Sequence, residues 1–297
     1  MNQKTMNQQT TNKQNSVSNL NEEFKNAYGK IPYGMTNDYM FRAVLQTNNK
    51  ALRGLICSLL HLQHEDVLSV EITNPIILGE SIEDKEFHLD INIRMNNNTL
   101  INLEMQITGK SVWPDRSISY LCRSLDMLTH GQEYDEIKPI VHIGFLDYTL
   151  FNDYPEFYAT YKLMNVKNHH IYSDKLTLSV VDLSRIDLAT EEDREYSIDN
   201  WAKLFKANTW EEIRMLSAEN QYIDEASKSI FRLSADEQIS KRCFDRMIYN
   251  REKRFYERTI AEQNAELANK DAELADKDAL IQKLQAEIEN LRPSASR

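Results

Sequence analysis

A chain of 297 residues, of which 41% are hydrophobic and 27% charged, carries enough apolar material for one sizeable core or two small ones. Its formal net charge of -11 argues against a general polyanion binder, since phosphate neutralisation normally needs clustered lysine and arginine. Cys57, Cys122 and Cys243 are odd in number and widely spaced, which argues against a disulfide framework or a thiolate metal site and fits buried reduced thiols. No apolar run approaches the length of a membrane span and the N-terminus lacks a hydrophobic signal core, so the expected location is cytoplasmic, with no membrane partner.

Residues 1–30 are rich in Asn, Gln, Thr, Ser and Lys and read as a disordered polar leader, with structure beginning near Tyr33. Met40, Phe41, Val44 and Leu45, then Leu52, Leu55, Ile56, Leu59 and Leu60, recur at helical spacing, which predicts two helices or one broken near Asn48. From His88 to Gln106 polar and apolar residues alternate on both sides of an asparagine run, the pattern of a half-buried hairpin. Further on, Asp115 after Pro114 is placed to cap a helix with a buried stripe of Ile118, Leu121, Cys122, Leu125 and Leu128, ended by Gly131. Arg116, Tyr120 and Arg123 form a polar and aromatic stripe on its other side.

Two runs, Pro139 to Leu146 and Leu176 to Leu183, have the composition of strands, and from about Glu191 the pattern turns helical, with Trp201, Leu204 and Phe205 as expected core contacts. Residues 241–258 carry seven basic side chains against three acidic, a local excess inside an acidic protein that serves either a nucleic acid or a solvated helix face. Ile260, Leu267, Leu274, Ile281 and Ile288 then repeat every seven residues, with Leu284 and Leu291 completing a second seam position. Gln263, Lys270 and Lys277 make that second position polar earlier on, so a single solvated helix competes with the favoured self-association.

The hairpin raises a chemical question. A turn centred on Asn97 sets Asp90 opposite Glu104, Asn92 opposite Asn102 and His88 opposite Gln106. Directly opposed like charges repel at Cβ separations of roughly 4.5 to 5.5 Å. The register is nevertheless pinned, because a slip of one residue would move Leu89, Ile91 and Ile93 off the face of Ile101, Leu103 and Met105. A hard cation such as Mg²⁺, which typically takes one or two carboxylates, waters and phosphate oxygens, would relieve the repulsion; the competing reading is a polar face that meets solvent.

The order Lys85-x-x-x-x-Asp90, then Asn-Leu-Glu104-Met-Gln106, then Arg116-x-x-x-Tyr120 resembles the PD-(D/E)XK nuclease family transposases, also described as recombination-promoting nucleases. Thr36-Asn-Asp38-Tyr-Met-Phe41, Val181-Asp-Leu183, Trp201 and the Ala226 to Arg251 region extend the likeness over roughly residues 33–258. The resemblance implies an α/β, restriction-endonuclease-like mixed sheet flanked by helices, to which the heptad pattern adds a C-terminal helical region and coiled coil. Taken with the heptad repeat, it predicts a nuclease-like core at 31–190, a helical extension with the basic segment at 191–258, a coiled coil at 259–292 and a flexible tail at 293–297.

It further implies metal-dependent cleavage of DNA, with Asp90 and Glu104 as ligands of Mg²⁺ or Mn²⁺ and Gln106 standing where the wider superfamily usually has lysine. Asp38 would be an accessory acid or a helix cap, and His88 an assisting or merely surface group. Arg116 and Tyr120, with Arg251, Lys253 and Arg254 in the basic segment, are the expected phosphate contacts, and the coiled coil the expected homodimer contact. The leading expectation is a Mg²⁺-dependent DNA endonuclease in recombination, mobile-element biology or defence. The alternative is a catalytically weak nuclease-like domain that binds DNA or a protein through its basic helix and coiled coil. It is kept open by Gln106 and by nine basic against 16 acidic residues over 31–150.

Overall fold

The computed structural model describes residues 21–76, 78, 90–107, 112–125, 133 and 136–291. His88, Leu89, Lys85, Leu128, Gly131, the first 20 residues of the leader and the tail therefore lie outside the described residues. The chain divides into two units, 1–248 and 249–297.

Six strands form one mixed sheet in the order β1-β2-β3-β4-β6-β5: β1 (Val70–Ile72), β2 (Ile91–Met95), β3 (Leu100–Gln106), β4 (Ile140–Leu146), β5 (Tyr158–Lys162) and β6 (Leu176–Asp182). β2 and β3 are antiparallel, whereas β3, β4 and β6 run parallel. The hairpin register is the expected one: Ile91 faces Leu103, Asn92 faces Asn102 and Ile93 faces Ile101. Its turn places Asn98 in the left-handed region at φ 63°, and the Asn97 side chain accepts from Thr99 N at 3.0 Å. The expected strands at 139–146 and 176–183 are present as β4 and β6. The short edge strands β1 and β5 were not foreseen, since three and five residues give periodicity little to act on.

One face of the sheet is apolar. Ile91, Ile93, Ile101, Leu103, Met105, Val141, Ile143 and Phe145 join α1 (Asp38–Thr47), α2 (Asn49–Leu59), α5 (Ile198–Lys206) and α7 (Gln221–Ser234) in a single core. Phe41, Phe145 and Phe205 meet there with ring centroids 5.1 to 5.6 Å apart, binding α1 and α5 to β4. The break near Asn48 has a local cause: Asn48 ends α1 and its side chain caps α2 by accepting from Ala51 N at 3.0 Å. Trp201, Leu204 and Phe205 are buried as expected.

Two expectations are corrected. The leader does not extend to residue 30: residues 21–26 are helical and Phe24 packs on Trp210 and Phe231, one large aromatic being enough to dock a polar stretch. The helix after the hairpin, α3 (Trp113–Leu125), begins at Trp113, so Asp115 lies in its first turn instead of capping it. Its buried residues are Trp113, Ser117 and Leu121, while Ile118 and Cys122 are exposed. The seat of Trp113 decides that rotation. Its indole lies over Gly144, where a Cβ would come within 2.1 Å of the ring.

A 3-10 turn (Ile186–Leu188), α4 (Glu191–Glu195), α6 (Trp210–Ser217) and α8 (Glu237–Leu291) complete the chain. α8 is one continuous helix of 55 residues, and most of it makes up the second unit. Along it Ile260, Leu267, Leu274, Ile281, Leu284 and Ile288 are exposed at the expected spacing.

Candidate active site

The second face of the sheet is polar at its centre. Alternation along β3 puts Asn102, Glu104 and Gln106 on this face, and the parallel register brings His142 and Gly144 of β4 alongside Asn102 and Glu104. Continuing the hairpin pairing by one residue sets Asp90 across from Glu104. The half-buried, solvent-facing hairpin is corrected here. Asp90 is 7% exposed, Glu104 4% and Gln106 8%, and α3, which links β3 to β4, brings Arg116 to Glu104 and lays Trp113 over Gly144.

Glu104 is met by Arg116, whose Nη2 lies 2.8 Å from Oε1. Arg116 also donates to the Tyr120 hydroxyl at 3.3 Å and stands 5.3 Å from that ring's centroid, the one-turn pairing that their spacing predicts. Burial disfavours the Arg116 charge, but the fields of Glu104, Tyr120 and Asp90 and the bond to Glu104 outweigh it and its pKa is raised. Burial likewise raises the Tyr120 phenol, with Arg116 opposing and Glu104 and Asp90 adding. In the protein alone, a guanidinium thus supplies charge compensation that a bound cation would share.

Asp90 is positioned from two sides. Its Oδ2 accepts from Asn102 Nδ2 at 2.9 Å, and its backbone carbonyl accepts from Arg42 on α1 and from Asn74 Nδ2 at 3.1 Å. Arg42 is fully buried, also bonds Gln46 and the Asn74 carbonyl, and is pushed down to about 10 by burial, with Asp90 opposing. Arg42, Asn74 and Asn102 have no counterpart among the expected site residues. Arg42 sits inside an apolar helical pattern, and only the facing of Asn92 and Asn102 was visible beforehand.

Asp38 forms a two-oxygen ion pair with Arg246 of α8, and the cap of α1 is Asn37, which accepts from Tyr39 N and Met40 N. Arg251 and Arg254 are exposed on α8, and Lys253 lies 4.0 Å from Glu257. His142, not anticipated, stacks between Trp113 and Tyr120 at centroid distances of 5.5 and 5.7 Å, and burial, aided by Arg116, pushes its pKa down to about 4.

Among the described residues no group of three or more His, Cys, Asp or Glu side chains is arranged to hold a metal ion. A magnesium site does not require three: one or two carboxylates suffice, with water and substrate oxygens completing the shell. Asp90 and Glu104 provide two hard oxygen groups on one buried face, and the neighbouring Asn102 Oδ1 is buried without a hydrogen-bond partner. The donor set fits such an ion.

The sequence model of the PD-(D/E)XK nuclease family transposases matches residues 35–259. The chain belongs to that family. No curated protein and no solved structure matches it. Membership accounts for the mixed sheet flanked by helices and supports a nuclease or transposase-like function on DNA, in a family of nucleases that generally use divalent metal ions. No helix among the described residues is long and apolar enough to cross a membrane.

Proposed function

We propose that this family member is a divalent-metal-dependent DNA endonuclease whose centre is Asp90, Glu104 and Gln106. The observation that carries the reading is the placing of two carboxylates across one hairpin register, both buried, on the polar face of a central strand. Burying like charges together is costly unless something compensates them; Arg116 lies 2.8 Å from Glu104, and a cation held by both carboxylates would complete the compensation.

Asp90 and Glu104 would hold Mg²⁺ or Mn²⁺, which when bound supplies polarisation of a phosphodiester and a lowered pKa for an attacking water. The chain's own residues do the rest. Asn102 and Arg42 keep Asp90 in place. The Gln106 amide can orient a water by donating or accepting, but it brings no charge to a developing phosphorane. Arg116, half-buried and already at the site, supplies the cationic group that Gln106 lacks: it can leave Glu104 for a phosphate oxygen once substrate and cation arrive. Tyr120 packs beside it and limits its swing.

Arg251, Lys253 and Arg254 would engage flanking phosphates, and the α8 seam would pair two chains. The weaker-nuclease alternative rests on Gln106. Supercoiled plasmid separates the two readings. The endonuclease nicks or linearises it with Mg²⁺ or Mn²⁺ and stops with chelator, whereas retention of the plasmid without any cut under either ion would leave only the binding module.

A further inference from the structure

Asn102 is half used. Its Nδ2 donates to Asp90 Oδ2 at 2.9 Å and to Asn92 Oδ1 at 2.6 Å, and these two acceptors determine which end of the amide is nitrogen. Its Oδ1 is then left buried with no hydrogen-bond partner, on a side chain only 6% exposed. An amide oxygen stripped of water and given no donor is costly. Directly across on β4, His142 repeats the anomaly: it is 1% exposed and neither ring nitrogen has a partner. Two adjacent orphaned groups, on the face that carries Glu104, point to a polar guest in place of tighter packing.

We propose that Asn102 is the third oxygen donor of the cation site. Its Oδ1 takes the hydrated divalent ion, either directly or through one of the ion's waters, while its Nδ2 holds Asp90 in the orientation the ion needs. His142, whose neutral ring has one acceptor nitrogen, receives a hydrogen bond from the same water shell. The inference rests on the metal-dependent reading of Asp90 and Glu104, and it explains how two carboxylates suffice here: the third position is filled by a neutral amide that adds no repulsion.

The test is Mn²⁺ binding to the metal-stripped full chain without DNA, read by the paramagnetic resonance of the free ion, with thermal melts in parallel. Asn102→Leu should weaken Mn²⁺ binding by about tenfold or more, the usual cost of losing a group that supports a metal site, and should also melt lower without metal, because the Asp90 and Asn92 oxygens lose their donor. Asn102→Asp restores an oxygen and adds charge. It should melt lower without metal, bind Mn²⁺ at least as tightly as the wild type, and gain more melting temperature from Mn²⁺ than the wild type does. Wild-type affinity in Asn102→Leu would overturn the proposal while leaving the carboxylate site standing. So would a loss of affinity in Asn102→Asp, which decides the matter alone if the leucine variant does not fold. Should the wild type bind Mn²⁺ no better than an Asp90→Asn, Glu104→Gln double variant, the metal reading fails and this inference with it.

Discussion

Glu104 and Arg116 lie 2.8 Å apart, one 6% and the other 37% exposed at the side chain, so their pair is screened on one side only. Its stability value is small, within about 1 kcal/mol. Glu104→Gln should therefore melt close to the wild type, yet abolish divalent-dependent plasmid cleavage by removing a metal-binding charge. A variant that still cuts at the normal rate would move the centre elsewhere. His142 makes a second prediction through pH. Its folded pKa of about 4 lies below the unfolded value near 6.5, so the unfolded chain takes up the proton first on acidification. The stability due to the neutral ring is complete above about pH 6.5 and is lost as pH falls toward 4, at up to about 1.4 kcal/mol per pH unit. His142→Phe, which fits the stack between Trp113 and Tyr120, should flatten the melting profile across that window; an unchanged slope would show that the ring is not buried neutral. Neither His142 nor Arg42 was legible as a site residue, because each is embedded among apolar neighbours and periodicity reports burial without reporting partners.

Among the elements, α3 packs on β4 and carries Arg116 to Glu104, and one glycine sets its height. A methyl at Gly144 would meet the Trp113 indole, a large rigid ring with little room to retreat. Gly144→Ala should destabilise by about 1 to 3 kcal/mol, the range for overpacking a filled site, and should also cut activity by displacing Arg116. Gly144→Ala paired with Trp113→Leu should recover stability; failure to recover would mean that the contact is not what positions the helix. The hairpin was readable down to its residue pairing, since alternation on both strands makes any slip expensive. The stripe of α3 was misread in part: Leu121 is buried as expected, but the rotation set by Trp113 buries Ser117 and leaves Ile118 and Cys122 exposed.

For the whole molecule, α8 begins inside the first unit, where Asn37 Nδ2 donates to the Cys243 carbonyl at 2.8 Å and Arg246 holds Asp38. Beyond that it carries a seam of six exposed Ile and Leu side chains at heptad spacing, from Ile260 to Ile288. Truncation after Arg258 should leave a folded chain that sediments as a monomer, against a dimer expected for the full chain, and should shift plasmid products from linear toward nicked circles as two centres lose their tether. A full-length monomer at micromolar concentration would rule out pairing through this helix. Neutralising Arg251, Lys253 and Arg254 together should weaken DNA binding and flatten its salt dependence, because fewer counterions are released; an unchanged slope assigns them to a solvated face.

Features carried by period and order were legible before any fold was known. These are the helix pair broken at Asn48, the hairpin and its facing acids, two of the strands, the heptad repeat, and the family resemblance borne by the succession of short motifs. Only the tertiary structure decided that the acids are buried, that Arg116 compensates Glu104, that Arg42 and Asn102 hold Asp90, and that Asp38 belongs to Arg246. The reason is physical. Alternation says which side chains share a face, but whether that face meets water or another helix depends on parallel pairing and a crossover helix contributed by residues far along the chain. A charge then finds its partner by proximity in space, across 12 residues from Glu104 to Arg116 and across 208 from Asp38 to Arg246, separations that local pattern cannot see.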